Sequence, residues 1–150
     1  MNKFILAVVV MAISSSSFAT DLILGGWSSH GSQSEYEKLN EAHYALGVIF
    51  DNGLTVITFK NSFYKQSAVA GYAKEISKFN HGKYSVSTSV VIGVVSGYSE
   101  GQAEGAYLGG GISMYLLPTL TIGYDKIKID TGISIAFDQP LITNNFRYTF

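Results

Sequence analysis

The stretch YLGGGISMYLLPTLTIGY, residues 107–124, decides the fold class. Large apolar residues alternate there with small or polar ones, and this period of two is typical of a β-strand with two different faces. Gly109-Gly110-Gly111 predicts close packing or a bend within this strand, and Pro118 predicts a local break in strand pairing because proline has no N–H. The apolar face comprises Leu108, Ile112, Met114, Leu116, Leu120 and Ile122.

The same alternation recurs along the chain and predicts eight strands. In the last strand, Phe146, Tyr148 and Phe150 alternate with polar residues. Asp51-Asn52-Gly53 predicts a tight hairpin turn, and short turns are also expected at 80–82 and 125–126. Longer polar connections are expected at 30–41, 98–106 and 137–141. The predicted strands cover roughly residues 22–29, 42–51, 54–62, 66–77, 83–97, 107–124, 126–136 and 142–150.

We therefore predict an all-β fold, an eight-stranded antiparallel transmembrane β-barrel of the outer membrane. Such barrels have strands of about 9–11 residues, short periplasmic turns and longer outer loops. The terminal Phe150 resembles the C-terminal aromatic signal of outer-membrane proteins, so the barrel-assembly machinery is an expected partner. The alternative is a soluble periplasmic β-sandwich or lipocalin-like barrel, which buries its apolar face inward. Alternation alone does not separate the two.

Residues 1–19 have the organisation of a signal peptide. Lys3 gives a basic start, an apolar run extends over 4–13, and small residues end at Ala19. The expected mature chain, 20–150, is then exported to the outer membrane. A buried N-terminal helix is the alternative, whereas the run is too short for a transmembrane helix of about 20 residues.

Composition excludes several other classes. Zero cysteines exclude a disulfide scaffold, and a net charge of −1 leaves no basic field for nucleic acid. The chain has neither the histidine spacing of a metal site nor a phosphate-binding loop before a helix, so we expect no cofactor. We expect a monomer.

One of the three histidines is expected to lie beside a serine that it could activate as a nucleophile. His81 lies in a predicted turn, where a solvated side chain is expected, and His43 lies on a predicted strand, where a bonded wall or lumen histidine is expected. His30 ends the first strand and Ser62 ends the third. Both strands run outward, so the two side chains are expected at the same rim. A nucleophilic serine needs a base, and the base needs an orienting partner, for which Asn61 is the candidate.

Residues 58–73, TFKNSFYKQSAVAGYA, resemble the lipid A palmitoyltransferase family (PagP). Asn40-Glu41 and the segments 116–118 and 122–124 resemble further elements of that family. Residues 24–30 resemble the start of small PagP-like outer-membrane proteins of tailed phages. The similarity is strongest at 58–73.

The resemblance implies a barrel that moves an acyl chain from a phospholipid to lipid A, with both lipids as partners. The family's catalytic histidine falls on His30 and its aspartate–serine pair on Asn61 and Ser62. An asparagine can orient an imidazole but cannot stabilise imidazolium as a carboxylate does. Substrate contacts are implied at Tyr72 and Ala73. Ala73 replaces a glycine at the floor of the acyl pocket, which predicts a shallower pocket and a shorter acyl chain.

Two functions therefore stay open, with a soluble periplasmic binding module as a third. The first is acyl transfer by His30 and Ser62. The second is a non-catalytic barrel that changes the cell surface, for instance by masking a receptor against further phage. Asn61 and the phage-like resemblance motivate the second function.

Overall fold

The computed structural model describes residues 19–30, 39–103, 105–136 and 139–150. The predicted signal peptide, 1–19, lies outside these residues except for Ala19. No helix in the described ranges is long and apolar enough to cross a membrane. A short 3-10 helix covers Glu100–Gln102. The strands are β1 Ala19–His30, β2 Leu46–Phe50, β3 Leu54–Lys60, β4 Gln66–His81, β5 Tyr84–Ser96, β6 Tyr107–Gly109, β7 Ile112–Tyr124, β8 Ile127–Ala136 and β9 Gln139–Thr149.

These strands form one antiparallel sheet that closes on itself. Neighbours in the chain pair from β1 to β5, and β9 returns to pair with β1. β5 pairs with β7 along the whole length of both strands, so the three-residue β6 lies outside the ring as an arm on β7. The chain is therefore a closed eight-stranded antiparallel β-barrel, as the sequence predicts.

The apolar face of the wall points outward. On β7, Met114 and Leu116 are exposed, whereas Ser113 and Thr121 are buried inside the barrel. On β9, Phe146 is likewise exposed. The alternation predicted for 112–124 is confirmed, and its direction is the reverse of a soluble barrel, which buries its apolar face inward.

Three consecutive glycines form a turn instead of continuing a strand. Gly109, Gly110 and Gly111 have φ values of +105°, +61° and +78°, a conformation that L side chains rarely adopt. The predicted single strand 107–124 is therefore wrong, because it divides at this turn into β6 and β7. The prediction that these glycines lie within a strand is corrected in the same way.

Pro118 marks a break in pairing on one side of β7 only. The ladder between β5 and β7 passes through Pro118, opposite Val90. The ladder between β7 and β8 begins at Thr119. Within the described ranges, residues 133–136 of β8 pair with β9 alone. We call the wall between 115–118 and 133–136 the β7–β8 seam. The predicted break is confirmed as the end of this ladder.

The short turns and long connections lie at opposite ends of the barrel. Turns at 51–53, 82–83 and 125–126 join strands at what we call the turn end, where Ala19 and Phe150 also lie. The strands β1, β3 and β5 all end at the other end of the barrel, which we call the loop end. The second strand is shorter than predicted, because residues 43–45 leave the ladder at Tyr44, whose φ is +48°.

Candidate active site

His30 and Ser62 meet at the loop end of the barrel. Nε2 of His30 lies 2.9 Å from Oγ of Ser62, within hydrogen-bond distance. His30 is the last residue of β1, and Ser62 follows β3 by two positions. Ser62 is buried. An imidazole at this distance from a hydroxyl can take its proton, so the predicted approach of these residues is present in the structure.

A bulge in β1 sets the direction of the His30 side chain. Ile23 points into the barrel and is buried. Because side chains alternate along a strand, an unbroken β1 would place odd-numbered residues inside and His30 outside. Instead, Trp27 is exposed and Ser28 is buried. The inward face has changed from odd to even numbers, and His30 lies on that inward face.

Two glycines produce this bulge. Between Leu24 and Trp27 the register with β9 shifts, so Gly25 and Gly26 together oppose one residue. Gly25 has a φ of +64°, which favours glycine at the first position of such a bulge. A Cβ on Gly26 would lie 2.8 Å from the carbonyl oxygen of Asn144. The Gly-Gly pair is therefore a structural requirement of the His30–Ser62 contact.

Gly26→Ala is expected to destabilise the barrel by roughly 1–3 kcal/mol, because the added methyl overpacks against β9. Urea unfolding of the refolded protein in lipid vesicles measures this loss. Gly101→Ala is the matched control, since a Cβ there meets nothing within 4 Å. Equal stability of the two variants would contradict this role of Gly26.

The segment 39–43 ties β1 to the Ser62 region. The backbone N–H of Asn40 donates to the carbonyl of Ser62 at 2.8 Å, and its side-chain amide donates to the carbonyl of Asn61 at 3.1 Å. The carbonyl of Glu41 accepts from the N–H of Ser28 at 2.8 Å. The Glu41 carboxylate also interacts electrostatically with His30. Neither Asn40 nor Glu41 stands in a spacing that predicts a catalytic role, although both belong to the resemblance to the palmitoyltransferase family.

Asn61 is fully engaged within the connection between β3 and β4. Its Nδ2 donates to Oγ of Ser67 and to the carbonyl of Gly97, both at 3.0 Å. Its Oδ1 accepts from the N–H groups of Phe63 and Lys65 at 2.9 and 3.0 Å. These bonds use the ordinary capacity of an amide side chain.

The structure therefore does not bring Asn61 to His30 as its orienting partner. Nδ1 of His30 is buried and has no hydrogen bond to any part of the chain that the structure describes. Asn61 instead shapes the turn that carries Ser62.

An apolar cavity of about 160 Å³ lies inside the loop end of the barrel. Ser62 lines it together with aliphatic and aromatic side chains. Tyr98 also lines this cavity, and burial raises its pKa to about 12. The apolar lining includes Ile57, Phe59, Val69, Val95 and Leu117.

A second, polar cavity of about 450 Å³ lies toward the turn end. Four residues line both cavities and form the layer between them: Ile57, Tyr115, Leu117 and Asn145. Ala73 lines the polar cavity and not the apolar one. The structure therefore does not place Ala73 at the floor of the apolar cavity, and that floor is the layer around Tyr115.

Tyr72, which the resemblance predicts to contact substrate beside Ala73, lies on the outer wall of the barrel. Its side chain is exposed, and its ring lies 2.8 Å from the position that a Cβ on Gly53 would take. Tyr72 also borders the polar cavity, and it does not line the apolar cavity that contains Ser62.

Asp21, Asp130 and Arg147 line the polar cavity and form a network of ion pairs and hydrogen bonds with two neighbours. Arg147 lies 3.1 Å from Asp21 and 2.9 Å from Asp130, and Lys128 lies 3.5 Å from Asp21. Thr121 donates to Asp130 at 2.6 Å. We call these five residues the lumen network. The sequence pattern did not predict this network, because Asp21 and Arg147 lie 126 positions apart and meet only when the barrel closes.

Nothing in the described ranges groups three or more His, Cys, Asp or Glu side chains for a metal ion. The site itself presents the Ser62 hydroxyl and the His30 imidazole beside an apolar cavity. Comparison with known proteins does not assign the chain to a family, because no protein-family model and no curated protein matches the sequence.

Proposed function

We propose that this protein is an outer-membrane acyltransferase that moves an acyl chain from a phospholipid to lipid A. The observation that carries the proposal is the 2.9 Å contact between His30 and Ser62, with Ser62 also lining the apolar cavity. The resemblance of 58–73 to lipid A palmitoyltransferases supports the choice of lipid substrates.

In the proposed reaction, Oγ of Ser62 attacks the ester carbonyl of a phospholipid while its proton passes to Nε2 of His30. The tetrahedral intermediate collapses, the ester C–O bond breaks, and His30 returns the proton to the departing lysophospholipid oxygen. A lipid A hydroxyl then attacks the acyl ester on Ser62 and gives its proton to His30. Collapse of the second intermediate transfers the acyl chain, and Ser62 regains its proton.

The apolar cavity gives the acyl chain a place beside the reacting atoms. The β7–β8 seam borders this cavity, because Tyr115 and Leu117 belong to both. A seam without ladder hydrogen bonds offers a lateral route from the bilayer into the barrel. This arrangement supports a lipid substrate over a water-soluble one.

Tyr115→Ala is expected to lengthen the acyl chain that is transferred, because removal of the ring joins the apolar cavity to the polar one. Mass spectrometry of products from a mixture of phospholipids with different chain lengths measures the change. Ala73→Gly is the matched comparison and is expected to leave the preferred length unchanged. A longer product from Ala73→Gly, with no change from Tyr115→Ala, would place the floor at Ala73 instead.

The outward apolar face supports location in the outer membrane. Phe146, Tyr148 and Phe150 are exposed on the last strand, as are the alternate apolar residues of β7. We expect fractionation with outer membranes and a gel mobility that changes on boiling, because small outer-membrane barrels stay folded in detergent. A soluble periplasmic fraction with no change in mobility would contradict this location.

The proposed activity is tested with purified, refolded protein, a phospholipid and lipid A in detergent. We expect equimolar lysophospholipid and acylated lipid A. Hydrolysis to free fatty acid without transfer would contradict lipid A as the acceptor.

One observation favours the second function, a non-catalytic barrel that changes the cell surface. His30 Nδ1 has no hydrogen-bond partner among the described residues, and Asn61 is committed to the turn, so no acid in the described ranges holds the imidazole through a hydrogen bond. If phage resistance conferred by the protein survives Ser62→Ala and His30→Ala, this function is supported. If both variants stay folded and lose the resistance, it is excluded.

A further inference from the structure

A second histidine is held rigidly in the wall of the apolar cavity. The N–H of His43 donates to the carbonyl of Gly26 at 3.0 Å, and its carbonyl accepts from the N–H of Lys60 at 2.7 Å. Its Nδ1 lies 2.8 Å from the carbonyl oxygen of Lys60, and its ring packs edge-on against Phe59 at 5.9 Å. β1 and β3 together therefore fix the orientation of this ring.

The tautomer of His43 follows from these contacts. A carbonyl oxygen only accepts, so Nδ1 carries the hydrogen and Nε2 carries the lone pair of the neutral ring. Burial lowers the pKa of His43, which keeps the ring neutral near neutral pH. Nε2 is therefore a hydrogen-bond acceptor.

This acceptor is buried beside an apolar cavity. His43 is only 6 % exposed, and its Nε2 bonds no atom of the described ranges. Because His43 lines the cavity, a donor can reach the ring from that side. The cavity also holds the hydroxyl of Ser113, which is likewise buried and unbonded within the described chain. A buried acceptor without a partner is costly, and a ligand that brings a donor removes that cost.

We propose that the apolar cavity selects an acyl chain that carries a hydroxyl group, and that this hydroxyl donates to Nε2 of His43. The inference rests on the proposed function, in which this cavity holds the acyl chain. An unsubstituted chain would leave Nε2 unbonded. One neutral hydrogen bond corresponds to roughly threefold to tenfold in affinity. His43 acts here in binding, whereas His30 remains the proposed base.

Binding to the refolded full barrel in detergent tests this selection. The probes are a 3-hydroxy fatty acid, its O-methyl ether and the unsubstituted acid of equal length. A second pair consists of monoacyl phospholipids with and without the hydroxyl, so that a free acid is distinguished from a membrane lipid as the source. We expect the hydroxylated member of at least one pair to bind several-fold more tightly, and the ether to bind like the unsubstituted acid.

His43→Phe keeps an aromatic ring of similar shape without the acceptor. It is expected to bind both members of the preferred pair equally, because the variant has no acceptor for the hydroxyl. His81→Phe, which changes an exposed histidine, is expected to keep the preference.

Three results would overturn the inference: equal binding of both members of each pair by the native protein, equal binding of the ether and the hydroxy acid, or an unchanged preference in His43→Phe. Binding of plain chains without preference leaves the proposed function intact and overturns only the role of His43. Failure of every chain to bind overturns both, because the cavity would then hold no acyl chain.

Discussion

Ser62→Ala is expected to lower the rate of acyl transfer at least about 10³-fold, because loss of the nucleophile in serine enzymes has effects of this size or larger. The hydroxyl lies 2.9 Å from the His30 imidazole, and the substitution removes one oxygen from a buried position beside the cavity. The barrel is expected to fold normally, since alanine fits the space of serine. Release of lysophospholipid by the purified variant measures the effect.

His30→Ala is expected to have an effect of similar size, and the double variant little more, because the two residues act as one unit. Ser29→Ala is the matched control, since Ser29 precedes His30 on the same strand but is exposed. A Ser62→Ala rate within tenfold of the native rate would show that Ser62 is not the nucleophile.

Arg147→Met is expected to cost the barrel about 3–5 kcal/mol, the range found when one partner is removed from a buried ion network. Arg147 contacts Asp21 and Asp130, and its side chain is 12 % exposed. Its removal leaves two carboxylates inside the lumen with Lys128 as the nearest cation, at 3.5 Å from Asp21. Urea unfolding in lipid vesicles measures the loss of stability.

Lys78→Met is the control for that variant. Lys78 pairs with Glu75 at 3.9 Å, and both side chains are largely exposed. An exposed pair of this kind contributes less than about 1 kcal/mol. If Arg147→Met lost no more stability than Lys78→Met, the lumen network would be unnecessary for holding the barrel closed.

The strands and the faces of the wall follow from the sequence where alternation is regular. The period of two over 112–124 depends only on neighbouring residues, so it predicts which side chains share a face. Whether that face points toward the lumen or away from it depends on how the barrel closes, and alternation alone does not predict this. The Gly25-Gly26 pair inside a predicted strand is the local signal of a bulge. Its consequence, an inward His30, appears only once β1 is paired with β9.

The lumen network and the role of Asn61 required the folded structure for different reasons. Asp21 and Arg147 lie 126 positions apart and meet only because the last strand closes on the first. The resemblance placed Asn61 at a catalytic position. Asparagine in a turn also forms hydrogen bonds with the local backbone. In this structure the Asn61 side chain accepts from the backbone N–H groups of Phe63 and Lys65. His43 was expected to be fully bonded, but only its Nδ1 has a partner in the described structure.

The most direct test of acyl transfer at His30 and Ser62 is the mass spectrum of lipid A from cells that express the protein in their outer membrane. We expect lipid A carrying one additional acyl chain with the native protein, and none with Ser62→Ala present at the same level. Lipid A of unchanged mass in cells with the native protein, in every growth condition tested, would contradict the proposed activity.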